Sequence, residues 1–170
     1  MMSGPVTIVD VGTGSGAIAV SLALNIPNSS VIAVDLSKSA LEMADENRRA
    51  HGMYSRVKLR LGNLLDPVTD NIDILVSNPP YIRKDRLAFL QDEVLKEPLM
   101  ALDGGEDGLD FYRDFSKKIY KIMNVNSYLI IEIGEGQFKD CTDIFSLSGL
   151  NFHKKAKDLQ KKDRILIYSK

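Results

Sequence analysis

The sequence predicts an α/β fold, with helices on both faces of an open and mostly parallel sheet of seven strands. Short runs of β-branched and apolar residues alternate along the chain with segments whose apolar residues recur at helical spacing. A glycine-rich loop directly follows the first of these runs and leads into the first helix, which is the order of a nucleotide-binding turn. Because ligands of such sheets bind at the carboxyl ends of the strands, we expect the functional residues at that edge.

The composition indicates one globular domain without a strong charge bias. The 170 residues are 44% hydrophobic and 26% charged, and the net charge of −1 argues against a strongly basic nucleic-acid binder. A single cysteine, Cys141, excludes an internal disulfide and is expected to be a buried, unreactive thiol. No apolar run reaches the roughly 18 residues of a membrane span. We therefore expect a single domain over residues 1–170 that is monomeric, cytoplasmic and without membrane contact.

The first half of the chain predicts four strands and two helices. The strands are expected at residues 6–11, 31–35, 57–61 and 72–77, and the helices at residues 17–24 and 40–49. Ser37 suits the cap at the start of the second helix, and Gly52 ends that helix. His51, beside the glycine, is expected on the surface near the helix end. This alternation of strands and helices is typical of a parallel sheet.

The second half of the chain predicts three more strands, two helices and one region of partial helix. Residues 83–97 are expected to be helical in part, until Pro98 breaks the helix. A glycine-rich loop at residues 103–108 precedes a helix at residues 109–123. That helix carries core residues at helical spacing, namely Phe111, Phe115, Ile119 and Ile122. The remaining elements are a strand at residues 128–133, a helix at 138–147 and an antiparallel strand pair at 151–155 and 164–168.

Five lysines lie between the last strands: Lys154, Lys155, Lys157, Lys161 and Lys162. Charge runs of this kind are usually solvated, and a solvated loop is the expectation here. The alternative is a basic patch that meets RNA or an acidic partner. His153 belongs to the same edge and has no neighbour in the sequence that suggests metal binding or catalysis.

The stretch Asn78-Pro79-Pro80-Tyr81, hereafter the corner, follows the fourth predicted strand. Its prolines end the strand because each lacks an N–H group and has a fixed φ, and the residue before a proline is held extended. A rigid strand end thus presents an amide oxygen, the Pro79 carbonyl and an aromatic ring, which together can hold a planar –NH2 group. For these four residues alone, a proline-rich turn with a buried tyrosine is an equally good interpretation.

Glycines and polar residues at other strand ends indicate a cofactor site on the same edge. The loop has the pattern Asp10-x-Gly12-x-Gly14-x-Gly16, and Asp35 ends the second predicted strand. An acidic residue about 20 positions after the first glycine can accept hydrogen bonds from both hydroxyls of a ribose. The dinucleotide signature G-x-G-x-x-G is absent, because Gly16 follows Gly14 by two positions and not three. The pattern therefore favours S-adenosyl-L-methionine over a nicotinamide cofactor.

Together, the glycine loop, Asp35 and the corner resemble a class I methyltransferase of Rossmann-like fold, whose seven-stranded sheet ends in an antiparallel hairpin. The resemblance implies binding of S-adenosyl-L-methionine and of its product, S-adenosyl-L-homocysteine. It implies that Asp35 binds the ribose and that Asn63 stands where the family usually has an aspartate that contacts the adenine amine. The implied cofactor-binding residues are Asp10, Gly12, Thr13, Gly14, Gly16, Asp35, Leu36, Asn63, Leu64 and Asn78.

Further segments resemble the HemK/PrmC family of protein-glutamine methyltransferases. These segments are residues 10–19, the corner with Ile82, a block at residues 97–113, and Glu132-Ile133-Gly134-x-x-Gln137. The resemblance implies methylation of the glutamine in the Gly-Gly-Gln motif of peptide chain release factors. It makes Asn78, Pro79 and Tyr81 catalytic and makes all four corner residues, Pro80 included, substrate-binding. The helical N-terminal domain of that family is expected to be absent, since the chain begins almost at the first strand.

Two other functions stay open on the sequence. An RNA or DNA base methyltransferase could use the same corner on a flipped base, but it would need a basic cleft and a recognition domain. Nucleic-acid contact is therefore not expected. The second alternative is a non-catalytic cofactor-binding module with a role in assembly, against which the intact corner argues. No metal site is predicted, and no histidine or cysteine dyad is required, because a methylated amide nitrogen loses its proton readily.

Overall fold

The computed structural model describes residues 5–91 and 94–170, which form a seven-stranded sheet flanked by helices. The strands are β1 (Val6–Val11), β2 (Ser29–Asp35), β3 (Val57–Leu61), β4 (Ile72–Ser77), β5 (Met123–Glu132), β6 (Asn151–Lys157) and β7 (Asp163–Ser169). The helices are α1 (Ala17–Asn25), α2 (Lys38–Ala50), α3 (Leu99–Leu102), α4 (Asp110–Ile122) and α5 (Phe138–Leu147), with 3₁₀ turns at Lys84–Phe89 and Val94–Lys96.

The strand order is β3-β2-β1-β4-β5-β7-β6. Strands β1 to β5 pair in parallel, whereas β7 runs antiparallel to both β5 and β6. The predicted sheet with a reversed C-terminal pair is therefore confirmed. The chain winds outward in opposite directions from β1 and β4, so the carboxyl ends of these two strands flank the crevice where such sheets bind ligands.

Apolar side chains cover both faces of the sheet. One cluster joins β1 and β5 to α4 and α5 and includes Tyr112, Phe115 and Phe145, all fully buried. The other joins the opposite faces of β1 and β2 to α1 through Ile8 and Ala19. Because side chains alternate between the two faces of a strand, a sheet covered on both faces needs nearly continuous apolar runs, as its central strands show.

Helix boundaries follow the caps that the sequence contains. The Ser37 hydroxyl accepts a hydrogen bond from the Ala40 N–H at 3.2 Å, and α2 begins at the next residue, Lys38, two positions earlier than predicted. Gly52 has a φ of +68°, which suits the left-handed turn after the helix, and His51 is exposed there as expected. Within the described residues, no helix has the length and apolar character needed to cross a membrane.

Two differences from the predicted elements lie in the second half of the chain. Strand β5 begins at Met123 and not at residue 128, because its first residues pair with β4 across an irregular register. Sequence patterns did not predict the short helix α3, which begins at Leu99 directly after Pro98. A proline has no N–H to donate, and at the start of a helix none is needed. Residues 84–89 and 94–96 form 3₁₀ turns, and residues 92 and 93 of the predicted partial helix lie outside the described residues.

The five lysines divide between a strand and a turn, so the expectation of one solvated loop is wrong; Lys154 and Lys155 lie in the strand expected at residues 151–155, and this strand extends to Lys157. Lys154, Lys155 and Lys157 belong to the edge strand β6, whose residues are all exposed, while Lys161 and Lys162 lie in the turn that follows. Because β6 pairs with a neighbour on one side only and has no buried face, it shows no alternation of apolar residues. Charged side chains on such an edge oppose pairing with another chain.

Candidate active site

The residues expected at the strand ends meet at one edge of the sheet. The glycine loop follows β1, Asp35 ends β2, Asn63 follows β3 and the corner follows β4. These four strands are neighbours in the order β3-β2-β1-β4 and run parallel. The structure therefore brings all the predicted site residues to adjacent positions along a single edge.

The glycine loop leaves open space at two of its three glycines. Gly12 and Gly14 have φ values of +70° and +54°, and a methyl group added at either position would meet no atom within 4 Å. At Gly16, with a φ of +78°, an added methyl would instead lie 3.0 Å from the Ala44 side chain. Gly12 and Gly14 therefore allow a ligand to approach the backbone, whereas Gly16 allows α2 to pack against the start of α1.

Asp10 is fully buried at the base of this loop and has an unused oxygen. The Thr13 hydroxyl donates to Asp10 Oδ2 at 2.6 Å, but Oδ1 has no hydrogen-bond partner among the described residues. Asp70 and Asp163 also have a buried oxygen without a hydrogen bond, but each of those oxygens lies within 3.1 Å of a basic side chain. Burial raises the pKa of Asp10 to about 6 despite the bond from Thr13. A buried acceptor without a donor points to a ligand group that would supply one.

Asp35 connects the glycine loop to the end of β2. Its Oδ2 accepts a hydrogen bond from the Gly14 N–H, and its Oδ1 accepts one from the Ser37 N–H, both at 2.8 Å. The carboxylate is partly exposed, and each oxygen keeps a further lone pair. The next residue, Leu36, is 56% exposed at the same strand end. An anionic acceptor beside an exposed apolar side chain suits a sugar bonded to a planar base.

The segment after β3 places one polar and one strained residue near Asp35. The Gly62 N–H donates to the Asp35 carbonyl at 3.0 Å, which fixes this segment to β2. Asn63 is exposed, while Leu64 packs against the core with a φ of +52°. A leucine in this conformation is disfavoured, and such residues are most common at functional sites.

The corner has a buried base and an exposed tip. Just before it, the Ser77 hydroxyl donates to the Val11 carbonyl at 2.7 Å and ties the ends of β4 and β1 together. Pro79 is buried, whereas Asn78 is exposed and its side chain forms no hydrogen bond within residues 5–91 and 94–170. The Asn78 carboxamide is therefore free to bind a substrate group.

Tyr81 is held by the far side of the sheet. Its hydroxyl donates to Glu132 Oε1 at 3.1 Å, and the Arg164 guanidinium lies 5.9 Å from the centre of its ring. Burial raises the pKa of the Tyr81 phenol, and the neighbouring Glu132 carboxylate raises it further. The phenol therefore remains protonated at neutral pH and acts as a donor to Glu132.

The glycine-rich loop at residues 103–108 supports the corner from behind. The Ile82 N–H donates to the Leu102 carbonyl at 3.0 Å, and the Gly104 N–H donates to the Ile82 carbonyl at 2.8 Å. A methyl group added at Gly104 would lie 2.9 Å from the Tyr81 backbone. Sequence reasoning gave these residues no role, although the density of glycines was a signal that two backbones approach closely there.

The remaining reactive side chains contribute nothing to this edge. Cys141 is buried as predicted, and burial raises the pKa of its thiol to about 12, so it is no thiolate nucleophile at neutral pH. In the part of the chain that the structure describes, no three histidine, cysteine or acidic side chains form a cluster that could hold a metal ion. The chemistry of the edge therefore depends on hydrogen bonding and positioning.

Comparison with known proteins agrees with this arrangement. The sequence profile of the family described as "Methyltransferase small domain" matches residues 3–105. The chain is 43% identical over 144 residues to the release factor glutamine methyltransferase of Geobacter sulfurreducens, a match that spans 84% of this chain and 50% of the relative. It is 42% identical over 131 residues to the ribosomal protein uL3 glutamine methyltransferase of Bradyrhizobium diazoefficiens, spanning 76% and 41% of the two chains.

A solved structure shares the fold over the whole chain. The ribosomal protein L11 methylase of Lactobacillus delbrueckii subsp. bulgaricus superposes with a TM-score of 0.70 at 23% identity, over 99% of this chain and 72% of that one. The chain spans about half the length of the two curated relatives.

Proposed function

We propose that this chain, which belongs to the methyltransferase small domain family, methylates the side-chain amide nitrogen of a glutamine with S-adenosyl-L-methionine as methyl donor. The acceptor is the Gly-Gly-Gln motif of a peptide chain release factor, in line with the relative in Geobacter sulfurreducens. The observation that carries the proposal is the free Asn78 carboxamide, exposed at a rigid corner beside the open glycine loop.

The residues on the cofactor side of the edge fit S-adenosyl-L-methionine. The unpaired oxygen of Asp10 suits the ammonium group of its methionine portion, and the open faces of Gly12 and Gly14 give that portion room. Asp35 would accept the ribose hydroxyls, and Asn63 would accept the adenine amine. When bound, S-adenosyl-L-methionine supplies an electrophilic methyl group on a sulfonium.

The corner addresses the main difficulty of the reaction. An amide nitrogen is a poor nucleophile because its lone pair is delocalised into the carbonyl. Asn78 Oδ1 and the Pro79 carbonyl accept the two N–H groups of the acceptor glutamine and turn its lone pair toward the methyl donor. As the new N–C bond forms and the bond between the methyl group and sulfur breaks, positive charge passes from sulfur to nitrogen and strengthens both hydrogen bonds, which favours the transition state over the ground state.

After transfer, the nitrogen carries one excess proton, which is strongly acidic and leaves to water. The half-buried Tyr81 ring packs over the planar amide and limits access of water on that face. No general base is required, and the carboxylates of Asp35 and Glu132 already accept hydrogen bonds from the protein.

A second candidate acceptor is supported by the relative in Bradyrhizobium diazoefficiens, which acts on ribosomal protein uL3. The chemistry at the corner would be the same, because both acceptors present a glutamine carboxamide. The two candidates differ only in the protein surface that delivers the glutamine.

The proposal is tested by incubating the chain with S-adenosyl-L-methionine that carries a labelled methyl group. Separate reactions contain a release factor, its Gly-Gly-Gln variant with Gln→Ala, ribosomal protein uL3, RNA and DNA. We expect label on the release factor at that glutamine, located by mass spectrometry, and no label on the Gln→Ala variant. Label on uL3 alone would favour the second candidate, and label on RNA or DNA would overturn the proposal in favour of a base methyltransferase.

Calorimetry gives a control that does not depend on the acceptor. S-adenosyl-L-homocysteine should bind the chain and NAD should not, and the reverse result would contradict the assignment of the cofactor. Binding of S-adenosyl-L-homocysteine without transfer to any acceptor would indicate a non-catalytic binding module.

A further inference from the structure

We propose that Gln137 is the positioning residue of the acceptor site: its buried carboxamide fixes the backbone of Tyr81 and thereby sets the geometry of the corner. This inference deepens the proposed function and rests on it for the identity of the reaction. Gln137 lies directly before α5, 56 residues from Tyr81 in the sequence, and is 8% exposed.

The carboxamide uses all of its hydrogen-bonding groups on segments around the corner. Nε2 donates to the Tyr81 carbonyl and to the Gly108 carbonyl, both at 3.0 Å. Oε1 accepts from the Gly134 N–H at 2.7 Å and lies 3.4 Å from the Tyr112 hydroxyl, whose shorter hydrogen bond, at 2.9 Å, goes to the Glu132 carbonyl. One side chain therefore joins the corner, the 103–108 loop, the turn after β5 and helix α4.

The space around the carboxamide admits little else. A methyl group added at Gly108 would lie 2.7 Å from Gln137 Nε2, and one added at Gly134 would lie 2.8 Å from Oε1. Both glycines are therefore needed for the backbone to reach the amide. This close approach is what a site requires when it holds a backbone segment in one position.

Gln137 completes a two-point attachment of Tyr81. Glu132 holds the tyrosine hydroxyl, and Gln137 holds the tyrosine carbonyl. Both attachments come from the end of β5 and the turn that follows it, residues 132–137. Because two fixed points determine the orientation of the residue, they also orient the peptide between Pro80 and Tyr81, which follows the acceptor carbonyl of Pro79.

Only a neutral amide meets the demands of this position. The side chain faces two carbonyl oxygens on one side and the Gly134 N–H on the other, so it must donate twice and also accept. A glutamate would place a carboxylate against the two carbonyls, and a methionine of similar size would leave both carbonyls and the Gly134 N–H without partners. Both substitutions should release Tyr81 without touching the cofactor side.

The activity test compares Gln137→Met and Gln137→Glu with a matched control, Asn124→Ala. Asn124 also uses its carboxamide in a hydrogen bond, to Asp73 Oδ1 at 2.8 Å, but it lies at the opposite end of β5. All three variants should lose stability, so assays are run at a temperature where each remains folded. We expect kcat for methyl transfer to fall about 10²-fold in both Gln137 variants, the loss typical of a misplaced reacting group, and to stay parental in the control.

Affinity for S-adenosyl-L-homocysteine separates positioning from general damage. It should stay parental in all three variants, because the hydrogen bonds of the Gln137 carboxamide go to Tyr81, Gly108 and Gly134 and not to the cofactor side. Equal loss of cofactor affinity and kcat in the Gln137 variants would show disruption of the whole edge and overturn the proposal. Parental kcat in Gln137→Met would overturn it as well.

Amide hydrogen exchange measures the loosening of the corner without any acceptor protein. In both Gln137 variants the N–H groups of Ile82 and Gly104, which bind the corner to the 103–108 loop, should exchange faster, while those of β1 should not. If the parental chain did not methylate a release factor but the Gln137 variants still showed faster exchange at Ile82 and Gly104, the proposed acceptor would be wrong and the positioning role would stand. If exchange at the corner were unchanged, the positioning role would be wrong whatever the acceptor.

Discussion

The two halves of the functional edge are built in different ways. The cofactor half consists of the glycine loop with Asp10, the Asp35–Leu36 strand end and the Asn63–Leu64 segment. Its linking hydrogen bonds span shorter separations in the sequence, such as that between Gly14 and Asp35, 21 residues apart. The acceptor half consists of the corner and its supports, and there Tyr81 bonds to Glu132 and Gln137, which are 51 and 56 residues away.

The halves also differ in which groups they leave without a partner within the protein. The cofactor half contains a buried carboxylate oxygen without a partner and two glycines facing open space. In the acceptor half, Glu132 and Gln137 bond Tyr81 from behind, and the Asn78 carboxamide is exposed at the tip of the corner. In the proposed function, an unpaired charge would thus prepare the site for a cationic cofactor, whereas rigidity would prepare the site for a neutral amide. Substitutions in one half should therefore leave the function of the other intact.

The largest effect is expected at Gly108, where the acceptor half is packed most tightly. With a φ of +79°, an added methyl would lie 2.5 Å from the Tyr81 carbonyl oxygen. We expect Gly108→Ala to lower the free energy of unfolding by roughly 2–4 kcal/mol, from backbone strain and overpacking together, and to slow methyl transfer about 10²-fold. Chemical denaturation and single-turnover kinetics measure the two effects.

Gly136→Ala is the matched control for this change. Gly136 has a φ of +83°, but an added methyl would meet nothing within 4 Å. It should show only the backbone strain, about 1 kcal/mol, and a nearly parental rate. Equal rate losses at the two glycines would mean that contact with Tyr81 is irrelevant to the corner.

At Asp10, the cofactor half should show a dependence of stability on pH. Its pKa is raised from 3.8 to about 6, so between these pH values the folded protein binds more protons than the unfolded chain. The free energy of unfolding therefore falls as the pH rises through this window. Asp10→Asn should remove this slope and stabilise the ligand-free protein at pH 7 by up to about 3 kcal/mol. The same variant should bind S-adenosyl-L-homocysteine more weakly.

The check on Asp10 is a series of denaturation curves between pH 4 and pH 7, a range that covers the pKa shift. Opposite signs for stability and ligand affinity are expected only if the unpaired oxygen serves the ligand. A variant less stable than the parent at pH 7 would contradict this role.

A smaller effect is expected at Asp35, which keeps hydrogen bonds within the protein as well as those to a ligand. Asp35→Ala should weaken binding of S-adenosyl-L-homocysteine by ~1.5–3 kcal/mol, as hydrogen bonds to a charged acceptor are lost. The control is Asp143→Ala, which removes an exposed carboxylate paired with Lys139 on α5 and should not alter binding. Calorimetry measures the affinity of both variants for S-adenosyl-L-homocysteine. If the two affinities were similar, Asp35 would not belong to the cofactor site.

The same contrast explains what the sequence could predict. The positions of the loop, Asp35 and Asn63 at the strand ends were predictable, because each lies at or just after the end of an apolar run that forms a strand. The corner was recognisable from Asn78 and its two prolines. The supports of the corner were not, because nothing local shows that Gln137 and Gly108 would meet at Tyr81. Chain topology brings them together, and single-sequence patterns do not encode contacts at that separation.

The lysines of β6 show a related difficulty. The strand expected at residues 151–155 extends to Lys157, and its end was not predictable because an edge strand without a buried face has no alternating pattern. The unpaired oxygen of Asp10 was likewise invisible, since burial of a carboxylate depends on packing from several elements.

The independence of the two halves is tested most directly at Asn78, the exposed tip of the acceptor half. Asn78→Ala removes one preorganised hydrogen-bond acceptor for the developing charge on nitrogen. The exposed Asn78 side chain forms no hydrogen bond among the described residues, so the fold should be retained. We predict that single-turnover methyl transfer slows ~10²–10³-fold, or roughly 2.7–4 kcal/mol, while calorimetry finds the parental affinity for S-adenosyl-L-homocysteine. An Asn78→Ala variant that methylates its acceptor at the parental rate would show that the corner is only a structural turn and would contradict this account.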